Sequence, residues 1–160
     1  MLGTAFEFLK DALNAQRASN GPIVVFPDDG GPEGSVLRLN AVTLLLLNVE
    51  DEPAGQSAGF SLRPAQGENL LSLNVLFVAR FADYRSALDE LWKTIAFFKA
   101  QPVFNGASLP QGVEQIALAQ VPLPIAGQHE LWGALRVGLL PAALYRVRLR
   151  LGPVASPRNG

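Results

Sequence analysis

Asn69 to Phe104 reads NLLSLNVLFVARFADYRSALDELWKTIAFFKAQPVF, and the fold turns on where its hydrophobic period changes. Leu71, Leu73, Val75 and Phe77 recur at every second residue, the spacing that places side chains on one face of a β-strand. At Asp83 the period lengthens. Tyr84, Leu88, Leu91, Ile95 and Phe98 then follow one face of a helix. Gln101-Pro102 ends that helix, because the residue before a proline avoids helical angles. A strand delivered straight into an amphipathic helix is a compact α/β unit, and nothing in it has the look of catalytic machinery.

Upstream, Leu2, Phe6, Leu9 and Leu13 make a second helical stripe, and Thr4 with Glu7 has capping-box spacing. A helix is predicted from about Thr4 to Gln16, stopped by Ser19-Asn20-Gly21-Pro22. Its Glu7, Lys10 and Asp11 are mixed in sign, unlike a membrane-binding face. Ile23 to Phe26 is a short strand, and Pro27 to Gly34 reads as a solvated hairpin loop. The acids of that loop lack the alternating ligand spacing of an EF-hand. Its glycines are followed by no lysine and no helix start, so no phosphate-binding loop is completed.

Asn40 to Val49, NAVTLLLLNV, is apolar on both sides and predicts a strand covered on both faces or against a neighbour. Glu50-Asp51-Glu52 ends it. A carboxylate site there would need a pocket and converging partners, so a solvated strand end is the simpler reading. Pro53 to Glu68 has three glycines, two prolines and no period, and is long for a connection inside a domain. It is expected to be a flexible arm that orders against a neighbouring subunit, with Phe60, Leu62 and Arg63 as candidate contacts.

Downstream, Val103-Phe104 suits a short edge strand, Asn105 to Gly112 a loop, and Glu114 to Val121 a strand stopped by Pro122 and Pro124. Gln128 to Leu135 can form a short helix. His129 is the only histidine, so catalytic triads and zinc clusters have no second imidazole to draw on. In the final strand, Ala142 to Leu151, Tyr145, Val147, Leu149 and Leu151 point one way and Arg146, Arg148 and Arg150 the other. That arginine row is either a solvated face or a docking surface for carboxylate-bearing partners.

Bulk composition narrows the function classes. The 160 residues are most simply one domain. Charged residues make up 17%, below the roughly 25% of ordinary domains, which hints at surface covered by other subunits. With 13 basic and 14 acidic residues, no net field draws the chain to nucleic acid or anionic lipid. Absence of cysteine removes disulfides, iron–sulfur clusters and thiol catalysis together. No signal peptide is expected, and the longest apolar run is too short to span a bilayer, so direct membrane insertion is not expected. The expected fold is a single α/β (α+β) domain over residues 1–152. It has a mixed or antiparallel sheet of about four to six strands, two main helices packed on it, and a loose tail over 153–160.

Several phrases resemble the cap, or tail-terminator, family of contractile injection systems, the phage-tail-like particles of bacteria. They are FLKDALNA from Phe8, LLLLNVEDE from Leu44, LNVLFVARFADYRSAL from Leu73, IAFFKAQPVF from Ile95 and HELWGALRVGLLPAALYRVRL from His129. The likeness to the Pvc-type N-terminal cap domain runs from about Leu2 to Leu151, and the segment from Pro53 to Glu68 departs from it. The resemblance implies a tail-terminator-like fold and a structural, non-enzymatic protein without cofactors. It also implies a homohexameric ring on the end of the inner tube and sheath distal to the baseplate, tying the two together. The implied partners are sheath subunits, inner tube subunits and further copies of the chain. Assembly is expected in the bacterial cytoplasm, in a particle later released or held in the cell. A terminator or connector of a contractile phage tail shares this ring logic, and a small stand-alone binding module is the remaining alternative. Arg146, Arg148 and Arg150 join Phe60, Leu62 and Arg63 as candidate contacts with sheath, tube or neighbouring copies.

Overall fold

A computed structural model describes residues 1–17, 22–28, 35–51 and 69–153. In chain order the elements are α1 (Leu2–Ala15), β1 (Val24–Val25), β2 (Ala41–Asp51), β3 (Asn69–Arg80), α2 (Tyr84–Ala100), β4 (Val103–Asn105), β5 (Val113–Val121), α3 (Ile125–Ala134) and β6 (Ala142–Leu151). The strands form one six-stranded sheet in the order β1-β2-β3-β6-β5-β4. The expected strand-to-helix switch is present, with β3 between β2 and β6 and antiparallel to both. The β1–β2 pair is parallel, which makes the sheet mixed.

That parallel pair corrects the hairpin reading of the segment after β1. Asn14 of α1 supplies the reason. Its side chain accepts from the Ile23 and Val24 N–H groups at 3.0 and 2.8 Å and donates to the Val24 carbonyl at 2.9 Å. One edge of β1 is thereby satisfied by a helix side chain, and the other lies beside the start of β2. Ahead of β2 the Asp28 N–H bonds to the Val36 carbonyl, and Arg38 and Asp28 form an ion pair at 2.7 Å. That ion pair is exposed; its hydrogen bonds hold the Asp28 carboxyl below its ordinary pKa.

Helices α1 and α2 cover one face of the sheet. Their core contacts include Phe6, Leu9 and Leu13 from α1, Ala87 and Phe98 from α2, and Leu73, Val75, Phe77, Tyr145, Val147 and Leu149 from the central strands. Phe77, Phe98 and Tyr145 form a triangle with centroids 5.1 to 5.5 Å apart and tilted or edge-on geometry, the arrangement aromatic quadrupoles favour. Burial also pushes the Tyr145 phenol up to about 12. The short α3 covers part of the opposite face. There Trp132 packs with Leu37, Leu45, Leu76 and Val78.

Two local expectations are corrected. The N-cap of α1 is Met1, and no side chain caps it. With the helix starting before Thr4, that residue lies inside the first turn, and its hydroxyl donates to the Met1 carbonyl at 2.8 Å rather than closing a box with Glu7. On α2, Tyr84 and Leu88 are exposed rather than core-facing. The buried positions are Ala87, Thr94 and Phe98, with Leu91 and Ile95 partly buried beside them.

The rotation of α2 follows from Arg17, just past α1. Its Nε donates to Glu90 Oε2 at 2.9 Å, one Nη to Thr94 Oγ1 at 3.0 Å, and the other to the Leu13 carbonyl at 2.8 Å. Meeting this fork turns Glu90 and Thr94 inward and carries the Tyr84–Leu88 line outward. Burial opposes ionisation of Glu90, but bonds from Lys93 and Arg17 outweigh it and hold the carboxyl below its ordinary value.

Phe98→Ala should destabilise the domain by about 3–5 kcal/mol, while Tyr84→Ala should stay within about 0.5 kcal/mol, as read by denaturant melts. Glu90→Gln should cost about 1–3 kcal/mol at pH 7, because it weakens charged hydrogen bonds at a mostly buried fork. Because the folded pKa is depressed, this contribution is full above the ordinary glutamate value of 4.5 and is lost as pH falls through the folded value. Melting temperatures of wild type and Glu90→Gln should therefore converge under acid.

Candidate assembly surfaces

The alternation of β6 is as expected: Tyr145, Val147, Leu149 and Leu151 are buried, while Arg146 is exposed and Arg148 and Arg150 are half-buried on the opposite face. Register gives these arginines their neighbours. Arg146 stands between Asn74 of β3 and Ala119 of β5, Arg148 between Ser72 and Ala117, and Arg150 between Leu70 and Gln115. Arg148 and Arg150 both have interaction partners. The Arg146 guanidinium is the outward-facing charge of the row.

On the β5 side of this row the side chains are small. Ala117, Ala119 and Val121 leave a groove of about 250 Å³, walled on its far side by Pro102 and Val103 and bordered by Arg146 and Arg148. On the β3 side the face is polar. Glu50 accepts from the Asn48 and Asn74 side-chain amides at 3.1 and 3.4 Å, and Asn74 also donates to Asn48. Ser72 lies between Glu50 and Arg148 in the register, and its buried hydroxyl has no hydrogen-bond partner among the described residues. Glu50 thus belongs to an amide ladder at the end of β2.

The second surface is β2. Its first half is buried on both faces, from Ala41 to Leu45, as the apolar run predicts. Its second half is not. Leu46, Leu47 and Val49 are 41%, 43% and 44% exposed. β1 is only two residues long and pairs solely with Val42 and Thr43, so among the described residues no strand covers the outer edge of β2 beyond that point. A bulge at Leu47 falls where the burial ends, and bulges add twist to an edge. An apolar groove of about 400 Å³ adjoins this edge, between Leu2, Gly3 and Phe6 of α1, Phe26, and Leu44 to Leu46.

Other exposed apolar groups lie elsewhere. Tyr84, Leu88 and Trp92 line one side of α2, with Lys99 Nζ 5.7 Å from the Trp92 ring centre. Ile125 and Leu139 flank a cleft beside α3 that His129 and Trp132 also line. Sequence reading missed Leu46, Leu47 and Val49 because a continuous apolar run does not reveal where its covering helix stops. Sequence reading assigns Tyr84 and Leu88 to the core face, whereas Trp92, which continues their i, i+4, i+8 spacing, is not part of that reading. Phe60, Leu62 and Arg63 lie outside the described residues.

Among the described residues no helix is long and apolar enough to cross a membrane. No group of three or more His, Cys, Asp or Glu side chains there could hold a metal ion.

The family model described as the Pvc16 N-terminal domain matches residues 5–154. Two solved structures share the fold. One is described as the sheath/tube terminator of PVC, an extracellular contractile injection system, in its extended state; it is 13% identical, with a TM-score of 0.61 over 99% of this chain and 58% of that one. The other is described as the anti-feeding prophage cap, a tube-terminating cap; it is 10% identical, with a TM-score of 0.57 over 98% of this chain and 56% of that one. The chain therefore spans a little over half the length of each. No curated protein matches it in sequence.

Because Arg146 is on the surface, Arg146→Glu should change unfolding free energy by less than about 0.5 kcal/mol and leave the circular dichroism spectrum intact.

Proposed function

The chain belongs to the Pvc16 N-terminal domain family, and on that premise we propose that it is the structural terminator of a contractile injection particle. In this reading a ring of copies, six by analogy with the symmetry expected of the tube, ends the inner tube and sheath distal to the baseplate and joins them. The observation that carries the reading is the family match over residues 5–154, supported by shared architecture with two proteins described as terminator and cap. It implies no catalytic role. Assembly would take place in the cytoplasm of the producing cell, before release or retention of the particle.

The physical logic of termination is simple. A growing tube adds subunits because its last ring exposes complementary surface. A terminator occupies that surface and presents a different outer face, so the next subunit has no template. Repetition around a ring multiplies modest contacts, since each attachment after the first is effectively intramolecular. The open outer edge of β2 suits contact with a neighbouring subunit, in which exposed backbone groups and apolar side chains supply affinity.

Electron micrographs of particles from a strain lacking this gene provide the test. Tubes of irregular, excessive length or with open distal ends are expected, and complementation with the wild-type chain should restore uniform capped particles. Normal length and normal capping in the deletion strain would overturn the assignment.

A further inference from the structure

The two edges of the sheet differ in character, and their differences are complementary. At one edge the end of β2 is paired only with β3 among the described residues, with Leu46, Leu47 and Val49 exposed and Glu50 and Asp51 following them. Natural edge strands are usually blunted by charge, proline or brevity. Here charge comes only after the exposed apolar residues. At the far side of the same sheet, the β5 alanines leave the apolar groove of about 250 Å³, and the exposed Arg146 stands at its border. One edge offers apolar side chains followed by carboxylates; the other offers an apolar trough followed by a guanidinium.

We infer that the uncovered end of β2 in one copy seats in the β5 groove of the next copy, with Asp51 against Arg146. This deepens the ring reading above and rests on it. The occupant is a second copy because both halves of the contact are carried by the same chain, on opposite edges of one sheet. A contact between two different patches of one molecule is heterologous: each copy gives with one edge and receives with the other, and the series closes into a ring when the rotation allows. A self-complementary two-fold contact would instead need one patch to fit itself, and neither apolar, acidic edge nor apolar, basic groove does so. The net charge of −1 supplies no bulk attraction, so the charge effect is local to this pair of patches.

The two patches have separable parts. Leu46 and Val49 register with Val75 and Leu73, so both lie on the helix-bearing face, whereas Asn48 and Glu50 register with Asn74 and Ser72 on the arginine face. The end of β2 therefore carries a polar side already bonded within the sheet and an apolar side that ends in Asp51, and the groove with its bordering arginine receives the second. Asp51 registers with Leu71 at the last residue of β2.

The test is the mass of the full chain in solution by size-exclusion chromatography with light scattering, over a concentration series. Wild type is expected to form a closed oligomer. Arg146→Glu and Asp51→Arg, each alone, should lower the association constant at least roughly tenfold, because like charges then face each other. The double variant Asp51→Arg with Arg146→Glu restores opposite charges with the sign exchanged, and should recover most of the wild-type mass. Ala119→Trp, which fills the groove without altering charge, should also block association while keeping a folded circular dichroism spectrum. A wild type that stays monomeric, single charge variants that retain the full mass, or a double variant that does not recover would each overturn the contact. The terminator reading stands or falls separately, on tube length in the deletion strain. Recovery by charge exchange together with normally capped deletion particles would retain the contact and reject the terminator.

Discussion

β3 is paired along both edges for nearly its whole length, and this constraint sets the rest of the molecule. With β2 on one side and β6 on the other, every residue of β3 fixes the facing of one residue in each neighbour. A slip of one position would turn Leu73, Val75 and Phe77 away from α1 and α2 and bring Ser72 and Asn74 inward. That is costly enough to leave one register. Once Val75 faces the helices, Tyr145 must as well, and the arginines of β6 must lie on the opposite side. The location of the charged row follows from the location of the core.

The helices are then positioned by polar contacts as well as by apolar packing. Asn14 ties α1 to β1 through three hydrogen bonds, and Arg17 ties the end of α1 to α2 through Glu90 and Thr94. Apolar packing alone is nearly isotropic about a helix axis, whereas a guanidinium fork accepts few arrangements. Isolated buried ion pairs are weak evidence for stability, since desolvation offsets attraction. Their effect here is on orientation. The Arg17 fork chooses which stripe of α2 meets the sheet, and it leaves Tyr84 and Trp92 facing out, at 66% and 58% exposure.

Legibility from sequence followed the same division. The period change at Asp83, the alternation of β6 and the ends of β6 were readable because each depends on local spacing and a two-sided environment. Asp83 itself was readable as a boundary, and it caps α2 by accepting from the Ser86 N–H and hydroxyl. What could not be read depended on partners distant in sequence. Arg17 lies 73 positions from Glu90, so nothing near Leu88 signals that its stripe faces solvent. The parallel pairing of β1 depends on Asn14, and the uncovering of Leu46 depends on how far α1 reaches. The family was legible because the phrases that carry the resemblance fall mostly on helices and strands, and the family match extends over 5–154. The candidate contacts were legible in part: the arginine row sits on the expected face, whereas the end of β2 reads only as covered on both faces or against a neighbour, with no sign of which residues stay exposed.

On the proposed terminator reading, two opposed problems fall on one sheet. It needs surface sticky enough to bind its neighbours and blunt enough not to continue the polymer. The far edge is blunted here. β4 is only three residues long, the chain enters it through Pro102, and the Leu118 N–H is already bonded to the Pro102 carbonyl. Among the described residues the near edge is closed by β1 for two residues and then left open along an apolar stretch. A sheet blunted at both edges would have nothing with which to grip, and one open at both would nucleate further strands. One open edge and one grooved, arginine-bordered edge give each copy a direction. Under the proposed contact that direction makes association head-to-tail, and the rotation between copies decides whether it closes into a ring.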